Sequence, residues 1–140
     1  SSSKFIFLII KIHSIINKSI TMNNVMEISN IGTDIVDINR FRKKEYKKNT
    51  NFYEKIFSRS EIKYCLSFKN QEEHFAGKFA IKEAVKKAIK EKISFKEIIT
   101  DHNNSKPNIT LKKKLNYRFL VSVAHEKDFA IAMVIALNNK

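Results

Sequence analysis

An aspartate interrupts an apolar, β-branched segment near the start of the chain. Asp34 lies within residues 28–36, a segment that also contains Gly32 and otherwise has the composition of a buried strand. A carboxylate in such a strand has to be paired, hydrated or bound to a metal, because burying an unpartnered charge is strongly unfavourable. Local violations of this kind tend to mark functional sites. A turn at the strand end, or a cap on the next helix, explains Asp34 equally well.

A second carboxylate lies in a segment with helical periodicity. Glu83 is followed one helical turn later by Lys87, and such a pair on a helix surface contributes only about 0.3–0.5 kcal/mol. Lys82, Lys86 and Lys90 recur at successive turns, which is typical of a solvated face. Only a phosphate-bearing ligand would give these lysines a specific use.

The histidines and the cysteine give weaker indications of a functional site. His125 follows a predicted strand and begins a turn, where a side chain can reach a ligand without disturbing the core. His102 lies near another predicted turn, and no metal-ligand spacing links the histidines. Cys65 is the only cysteine, so no internal disulfide can form. Its apolar neighbours predict a small buried hydrophobe rather than a nucleophile.

Length and charge allow several function classes. The 140 residues suit one domain with a real core, since 43% of them are hydrophobic. The 27 lysines and arginines exceed the 14 acidic residues, and the net charge of +13 favours an acidic protein, a nucleotide or a nucleic acid as partner. Lysine greatly exceeds arginine, however, and an AT-rich genome would impose that bias without any function. A basic nucleic-acid-binding domain is therefore one alternative.

The N-terminal residues differ from the remainder of the chain. They contain an apolar run at 5–10, basic Lys4, Lys11 and Lys18, and no acidic residue before Glu27. This pattern predicts a targeting-like or atypical extension over residues 1–25 and a folded domain over residues 26–140. The run is shorter than the roughly 20 apolar residues that span a bilayer, so we expect no stable membrane association. A helix or strand packed on the domain is the alternative.

Helices are predicted in the middle of the chain. Asp37 can cap a helix that buries Ile38 and Phe41. Ser58 and Glu61 match a capping box, so another helix begins there. The predicted inward residues of that helix are Ile62, Cys65 and Leu66. A longer helix is predicted over residues 72–90, with an apolar side formed by Phe75, Phe79, Ala80, Ala84, Ala88 and Ile89.

Strands are predicted on both sides of these helices. Residues 98–100 and 109–111 have the composition of short strands, and residues 103–107 that of a turn between them. Two longer apolar runs, at 119–124 and 129–137, predict an antiparallel hairpin. This arrangement predicts the α+β class.

Four segments of the sequence resemble, in order, the signature blocks of holo-acyl-carrier-protein synthases. These short enzymes belong to the 4′-phosphopantetheinyl transferase family. The similar segments are the strand motif at 31–40, the helix motif at 75–88, the turn at 105–107 and the hairpin at 121–132. The resemblance extends from about Glu27 to Leu137, and ordered blocks are far more specific than one short motif. It implies an antiparallel sheet with packed helices, assembled as a trimer whose active sites lie between subunits.

The resemblance also implies a Mg²⁺-dependent reaction. Such enzymes transfer the 4′-phosphopantetheine group of coenzyme A to a serine of apo-acyl carrier protein and release adenosine 3′,5′-bisphosphate. It implies that Asp34, Glu83 and Lys87 are catalytic, that the two carboxylates bind the metal, and that Lys87 lies near the phosphates. Mg²⁺ prefers hard oxygen ligands, as two carboxylates and substrate phosphates provide. Glu83 or a metal-bound water would accept the serine proton.

Two binding surfaces follow from the same resemblance. The residues expected to bind coenzyme A are Lys78, Lys87, Lys106, Pro107 and His125. The acidic carrier protein would dock on the predicted first helix. The basic residues of that helix are Arg40, Arg42, Lys43, Lys44, Lys47 and Lys48. An ordinary solvated face explains at least half of them equally well.

Two turns depart from the family pattern. Lys90, Glu91 and Lys92 replace a Gly-rich turn, and Ser105 stands where the family often has Gly. Glycine in either turn would permit positive φ or close approach to a phosphate. We therefore expect the loop shapes and the coenzyme A contacts to depend on these replacements.

Two other interpretations stay open at the level of sequence. A nucleic-acid-binding domain would explain the charge but not the four ordered blocks, and we expect no nucleic-acid partner. An inactive relative that only binds carrier protein would keep the basic helix without needing both Asp34 and Glu83. The composition of the leader favours import into a plastid of the apicoplast type, where bacterial-style fatty-acid synthesis needs a holo-carrier protein. A cytoplasmic location is the alternative.

Overall fold

The computed structural model describes residues 2–21 and 26–139, and their fold is α+β as the sequence predicts. The elements are α1 (Ser2–Thr21), β1 (Met26–Asp37), α2 (Asn39–Arg42), α3 (Thr50–Glu54), α4 (Arg59–Leu66), α5 (Gln71–Ala88), β2 (Ile98–Asn103), β3 (Lys106–Leu111), β4 (Tyr117–Glu126) and β5 (Phe129–Asn139). Short 3₁₀ turns occupy Tyr46–Lys48 and Phe95–Glu97.

The strands form two antiparallel sheets. The larger has the order β1-β5-β4, and Asp34 on β1 and Val123 on β4 both pair with Ala132 on β5. The predicted closing hairpin is therefore confirmed, with strands longer than predicted. β2 and β3 form a separate two-stranded sheet.

One face of the larger sheet packs on α5. Alternate residues of β5 on that face are fully buried, namely Ala130, Ala132, Val134 and Ala136. On β1, a Cβ added at Gly32 would overlap the carbonyl oxygen of Ala84 and lie 3.1 Å from the backbone nitrogen of Ala88. A residue without a side chain is required for this close approach. The backbone of β1 therefore lies directly against the C-terminal half of α5.

Aromatic rings fill the core on the other side of α5. The ring centroids of Tyr53 and Phe75 lie 4.7 Å apart, and those of Phe57 and Phe75 lie 5.1 Å apart. Cys65 is fully buried, and burial raises the pKa of its thiol to about 12. Its prediction as a buried hydrophobe is confirmed.

The helix after β1 is much shorter than the sequence indicates. Ile38 and Phe41 are buried as predicted, but α2 ends after four residues. Asp37 precedes the helix and accepts a hydrogen bond of 3.0 Å from the backbone N–H of its first residue. Beyond α2, the hydroxyl of Tyr53 donates to the carbonyl of Lys44. The Tyr53 side chain thus satisfies the Lys44 carbonyl, which a continuous helix would bond internally. The basic residues after Arg42 therefore lie on turns rather than on a helix.

The start of α4 agrees with the prediction, and its end does not. The capping box of Ser58 and Glu61 is present. Ile62 and Cys65 are buried as predicted. Leu66 is 39% exposed, so its predicted burial is wrong. It is the last residue of the helix and lines an open groove.

Lys82 is fully buried, so its predicted place on a solvated face is wrong. Its ammonium donates to Oε1 of Glu61 at 2.7 Å and to the carbonyls of Ile56 and Phe95 at 2.8 and 3.0 Å. Oε2 of Glu61 accepts from the backbone N–H and the hydroxyl of Thr100 at 2.9 and 2.6 Å. Burial alone would raise the pKa of Glu61, but Lys82 and these hydrogen bonds hold it below its usual range. Both charges are therefore satisfied inside the protein.

The hairpin turns contain residues with positive φ. The turn predicted at 103–107 is shorter in the structure, where only Asn104 and Ser105 lie between β2 and β3. Their φ angles are 51° and 67°. Ser105 therefore has a left-handed backbone at the position where the family pattern often has Gly. Lys127 has a φ of 52° in the turn between β4 and β5.

α1 covers most of the predicted N-terminal extension and exposes apolar side chains. Phe5 and Phe7 are each 64% exposed, and Ile10 is 61% exposed. Among the described helices, none combines the length and hydropathy needed to cross a membrane. Residues 1 and 22–25 of the predicted extension lie outside the described residues, as does the side chain of Lys18.

Candidate active site

Asp34 lies on the face of β1 that meets α5. Gly32, Asp34 and Val36 alternate onto that face, and both neighbours of Asp34 there are buried. Oδ1 of Asp34 accepts a hydrogen bond of 2.9 Å from the ammonium of Lys87, which also donates to the carbonyl of Thr33 at 3.0 Å. The sequence left open whether Asp34 is paired, hydrated, metal-bound or part of a turn or cap. In the structure it lies within the strand and is paired with Lys87.

Glu83 lies one helical turn before Lys87 and is half-buried. Residues four apart on a helix share one face, so the ion pair between Lys87 and Asp34 brings Glu83 to the same junction. Ala84, the residue after Glu83, contacts the backbone of Gly32. Asp34 and Lys87 therefore meet where β1 crosses α5, and Glu83 lies one turn before Lys87 on that helix.

The carboxylate pair suits an ion that takes further ligands from a substrate. Within the part of the chain that the structure describes, no group of three or more His, Cys, Asp or Glu residues could hold a metal alone. Asp34 and Glu83 supply hard oxygen atoms, and Mg²⁺ is commonly held by one or two carboxylates together with substrate phosphates and waters. The residues present therefore fit Mg²⁺ in a site that a phosphate-bearing substrate completes.

A second group of predicted residues lies along the N-terminal half of α5. Lys78 and His125 line a cavity of about 30 Å³ together with Tyr64, His74 and His102. The His102 ring stacks on Tyr64 with centroids 4.5 Å apart, and its Nδ1 is buried with no hydrogen-bond partner among the described residues. Burial lowers the pKa of His74 and of His102, and nearby cationic groups lower both further.

Lys78 is an interior residue of this cavity, with 3% exposure. Its ammonium donates to the hydroxyl and the carbonyl of Thr100 at 2.9 and 3.2 Å and lies 4.7 Å from the ring centroid of Tyr64. Burial lowers its pKa. The structure thus gives Lys78 protein partners, and its contact with coenzyme A stays a prediction.

The tip of the small hairpin adjoins the same cavity. Pro107 pairs in register with His102, and exposed Lys106 directly follows the turn. Pro107, His102 and His125 therefore lie in one region. The α5 residues that line this cavity run from His74 to Ile81. Those at the carboxylate junction run from Glu83 to Lys87, so the two groups occupy successive parts of one helix.

The six predicted docking residues are all exposed, and some have partners within the chain. Arg42 forms an ion pair of 2.6 Å with Asp128. The guanidinium of Arg40 lies 5.0 Å from the ring centroid of Phe79, and the ammonium of Lys44 lies 4.1 Å from that of Phe52. The basic surface is present, although it does not lie on one helix face.

An open groove of about 740 Å³ lies elsewhere on the molecule. Its lining contains none of the predicted site residues and consists of Tyr46, Glu54, Phe57, Arg59, Ile62, Lys63, Leu66, Ser67 and Lys96. The predicted residues Lys78, Glu83 and Lys87 instead lie on α5, with Asp34 and His125 beside it.

Sequence reasoning missed Tyr64, His74 and Thr100 as neighbours of Lys78. Tyr64 and His74 belong to helices, Thr100 to a strand, and their meeting depends on how these elements pack. Nothing in their spacing indicates this contact. His102 was singled out, but only for its place near a turn.

Comparison with known proteins places these groups in a family. The sequence model of the 4′-phosphopantetheinyl transferase superfamily matches residues 30–134. The holo-[acyl-carrier-protein] synthase of Chlamydia felis is 37% identical over 121 residues, which cover 80% of this chain and 99% of that protein.

Solved structures agree with this comparison. The holo-(acyl-carrier-protein) synthase of Bacillus anthracis, in complex with CoA (3′,5′-ADP), is 30% identical with a TM-score of 0.68, covering 81% of this chain and 99% of that one. The holo-[acyl-carrier-protein] synthase of Helicobacter pylori, in complex with coenzyme A, is 35% identical with a TM-score of 0.66. The match covers 76% of this chain and 98% of that one. Sequence, fold and the junction of Asp34, Glu83 and Lys87 thus lead to one conclusion: this chain belongs to the holo-[acyl-carrier-protein] synthase family of 4′-phosphopantetheinyl transferases.

Proposed function

We propose that this chain transfers the 4′-phosphopantetheine group of coenzyme A to a serine of apo-acyl carrier protein. The serine oxygen forms a bond to the phosphorus that carries the pantetheine arm. The bond from that phosphorus to the bridging oxygen breaks, and adenosine 3′,5′-bisphosphate leaves with the electron pair. The observation that carries this proposal is the ion pair of Asp34 and Lys87 at the junction of β1 and α5, with Glu83 one helical turn before Lys87, in a chain of this family.

Mg²⁺ is the proposed metal, held by Asp34 and Glu83. When bound, it would neutralise negative charge on the pyrophosphate. Lys87 is half-exposed, with 54% of its side chain accessible, so its ammonium can turn from Asp34 toward a substrate phosphate. The carboxylate of Glu83, or a water held beside it, would accept the serine proton. His125, Lys106, Pro107 and Lys78 are proposed to bind the nucleotide end.

The exposed basic segment after β1 is the proposed docking surface for the acidic carrier protein. Arg40 and Lys44 contact only aromatic rings among the described interactions, so their charges are available to a partner. Arg42 is already paired with Asp128. Charge reversal at Arg40 and Lys44 should raise the KM for carrier protein more than the KM for coenzyme A. Equal effects on both constants would argue against this surface.

A homotrimer is the proposed assembly. The face of the large sheet opposite α5 exposes large apolar side chains, including Ile31, Ile35, Leu120, Ile131 and Met133, which are between 44% and 61% exposed. An apolar area of this kind on a soluble domain indicates an interface. Sedimentation equilibrium should give three times the chain mass, and Ile35→Glu should reduce it.

Import into an apicoplast-type plastid is the proposed location. It is supported by an N-terminal helix with exposed apolar residues and with lysines but no acidic residues. A fusion of residues 1–25 to a fluorescent protein should reach the plastid. Cytosolic fluorescence would contradict the proposal.

The direct test of function is a transfer assay with purified protein, apo-acyl carrier protein, coenzyme A and Mg²⁺. Mass spectrometry should show the carrier protein gaining one phosphopantetheine group. The gain should disappear with a chelator and return with added Mg²⁺. No gain with any divalent metal would refute the proposed function.

A further inference from the structure

The ring of His125 rests against α5 at Gly77, the only glycine of that helix. A Cβ added at Gly77 would lie 2.9 Å from Nε2 and 3.5 Å from Cε1 of His125. It would also lie 3.5 Å from Cγ2 of Val123, an ordinary contact. Glycine inside a helix is unfavourable relative to alanine, so its presence here needs a reason. The ring of His125 supplies one, because any side chain at residue 77 would displace it.

A hydrogen bond fixes the same ring. Nε2 of His125 lies 3.0 Å from the main-chain carbonyl oxygen of Glu73. A carbonyl oxygen only accepts, so Nε2 is the donor and carries a proton. The oxygen has a second lone pair, so it can accept this bond in addition to the one within the helix. Nδ1 diverges from Nε2 across the ring and is therefore the nitrogen left for a ligand.

The lining of the cavity shows why this fixation matters. His125 is exposed at the end of β4, whereas Lys78 and His102 beside it are held by contacts within the chain. An exposed imidazole without these restraints would rotate about its side-chain bonds. The close approach at Gly77 and the bond to Glu73 instead hold it in one orientation.

We infer that Gly77 and the carbonyl of Glu73 are positioning groups, which hold the His125 imidazole so that Nδ1 is presented to the nucleotide of coenzyme A. This inference rests on the proposed function for the contact between His125 and the nucleotide. Gly77 thus serves ligand binding through His125, and it does so without touching the ligand itself.

A double-mutant cycle tests the inference with four proteins: wild type, Gly77→Ala, His125→Ala and the combined variant. Binding of coenzyme A is measured by calorimetry without carrier protein. Each single variant should bind about 10-fold more weakly, and the combined variant should also be about 10-fold weaker, because Gly77 acts only through His125. The KM for carrier protein should not change. A loss of about 100-fold in the combined variant, or wild-type affinity in Gly77→Ala, would overturn the inference.

Three further measurements distinguish a failure of this inference from a failure of the proposed function. The ¹⁵N chemical shift of Nε2 of His125 should be that of a protonated nitrogen in the wild type and should move in Gly77→Ala; an unchanged shift contradicts the positioning. If Gly77→Ala is unstable, the combined variant should recover stability because the obstructing ring is gone. Equal instability in both would overturn the inference. A wild type that binds coenzyme A without transferring its arm would refute the proposed function and leave the cycle readable.

Discussion

Helix α5 carries two lysines that each pair with a carboxylate, and the two pairs are opposite in character. Lys82 and Glu61 lie 2.7 Å apart with both side chains at 0% exposure. Lys87 and Asp34 lie 2.9 Å apart with exposures of 54% and 17%. The atoms are the same in kind and the distances nearly equal, so burial and the other partners distinguish the pairs.

The buried pair uses its polar atoms within the chain. Two carbonyls and Glu61 surround the ammonium of Lys82, and Thr100 occupies the other carboxylate oxygen. Nothing in that network is free to change partner without leaving a buried charge. The pair of Lys87 and Asp34 lies at the surface, where water or a phosphate can replace either partner. The exposed pair can therefore exchange its partners for those of a ligand, whereas the buried pair stabilises the fold.

The largest effect is expected from neutralising the carboxylates at the exposed junction. Asp34→Asn and Glu83→Gln keep the side-chain shapes but remove the charges that would hold Mg²⁺. Each should lower kcat/KM by about 1,000-fold or more, while the free energy of unfolding changes by less than about 1 kcal/mol. Transfer assays and urea unfolding measure the two quantities. Near-normal rates in both variants would refute the metal assignment.

Lys82→Met should have the opposite outcome. It leaves the carboxylate of Glu61 buried and without its counter-ion, which typically lowers the free energy of unfolding by about 3–5 kcal/mol. Lys87→Met on the same helix is the matched control and should change that free energy by about 1 kcal/mol or less. Urea unfolding monitored by circular dichroism compares them. Equal losses in the two variants would remove the distinction between the pairs.

Lys87→Met should also lower activity, which Lys86→Met should not. Loss of one cation beside the substrate phosphates should lower kcat/KM by about 100-fold. Lys86→Met is a suitable control, since Lys86 directly precedes Lys87 on α5 but its ammonium lies 3.8 Å from the ring centroid of Phe95. Transfer rates at saturating carrier protein measure the effect. Comparable rates for the two variants would show that Lys87 has no special role.

The sequence predicted the exposed pair better than the buried one. Asp34 violated the pattern of its strand, and the family blocks linked it to Glu83 and Lys87. Glu61 already had a complete local explanation as a capping residue, and that function is indeed present. Its second partner, Lys82, is 21 residues away and could be recognised only after α4 and α5 had packed. Long-range burial, unlike capping, leaves no periodic signal.

The α+β class, the closing hairpin and the long helix were also predictable, because each depends on local periodicity. The break after α2 was not predictable from local periodicity, and the Tyr53 hydroxyl that bonds the Lys44 carbonyl there comes from a later helix. The predicted burial of Leu66 was wrong for a related reason. Helical spacing identifies the apolar face of a helix, but it does not tell how far along the helix other elements cover that face.

The smallest effect is the dependence of stability on acidic pH, and the buried pair should cause it. The pKa of Glu61 in the folded protein is lowered, because Lys82 and the hydrogen bonds from Ser58 and Thr100 outweigh the effect of burial. The unfolded chain therefore binds a proton at higher pH than the folded one does. The contribution of Glu61 is complete above the unfolded pKa of about 4.3 and is lost as the pH falls through the lower folded value.

The double variant Glu61→Gln/Lys82→Met removes this titration together with both charges of the pair. Its free energy of unfolding should decrease less than that of the wild type between pH 5 and about pH 3. Asp34, Glu83 and all other acids are shared by the two proteins, so their titration cancels in the difference. Parallel curves over this range would mean that Glu61 has the same proton affinity folded and unfolded. The buried pair would then contribute no more to acid sensitivity than a surface pair does.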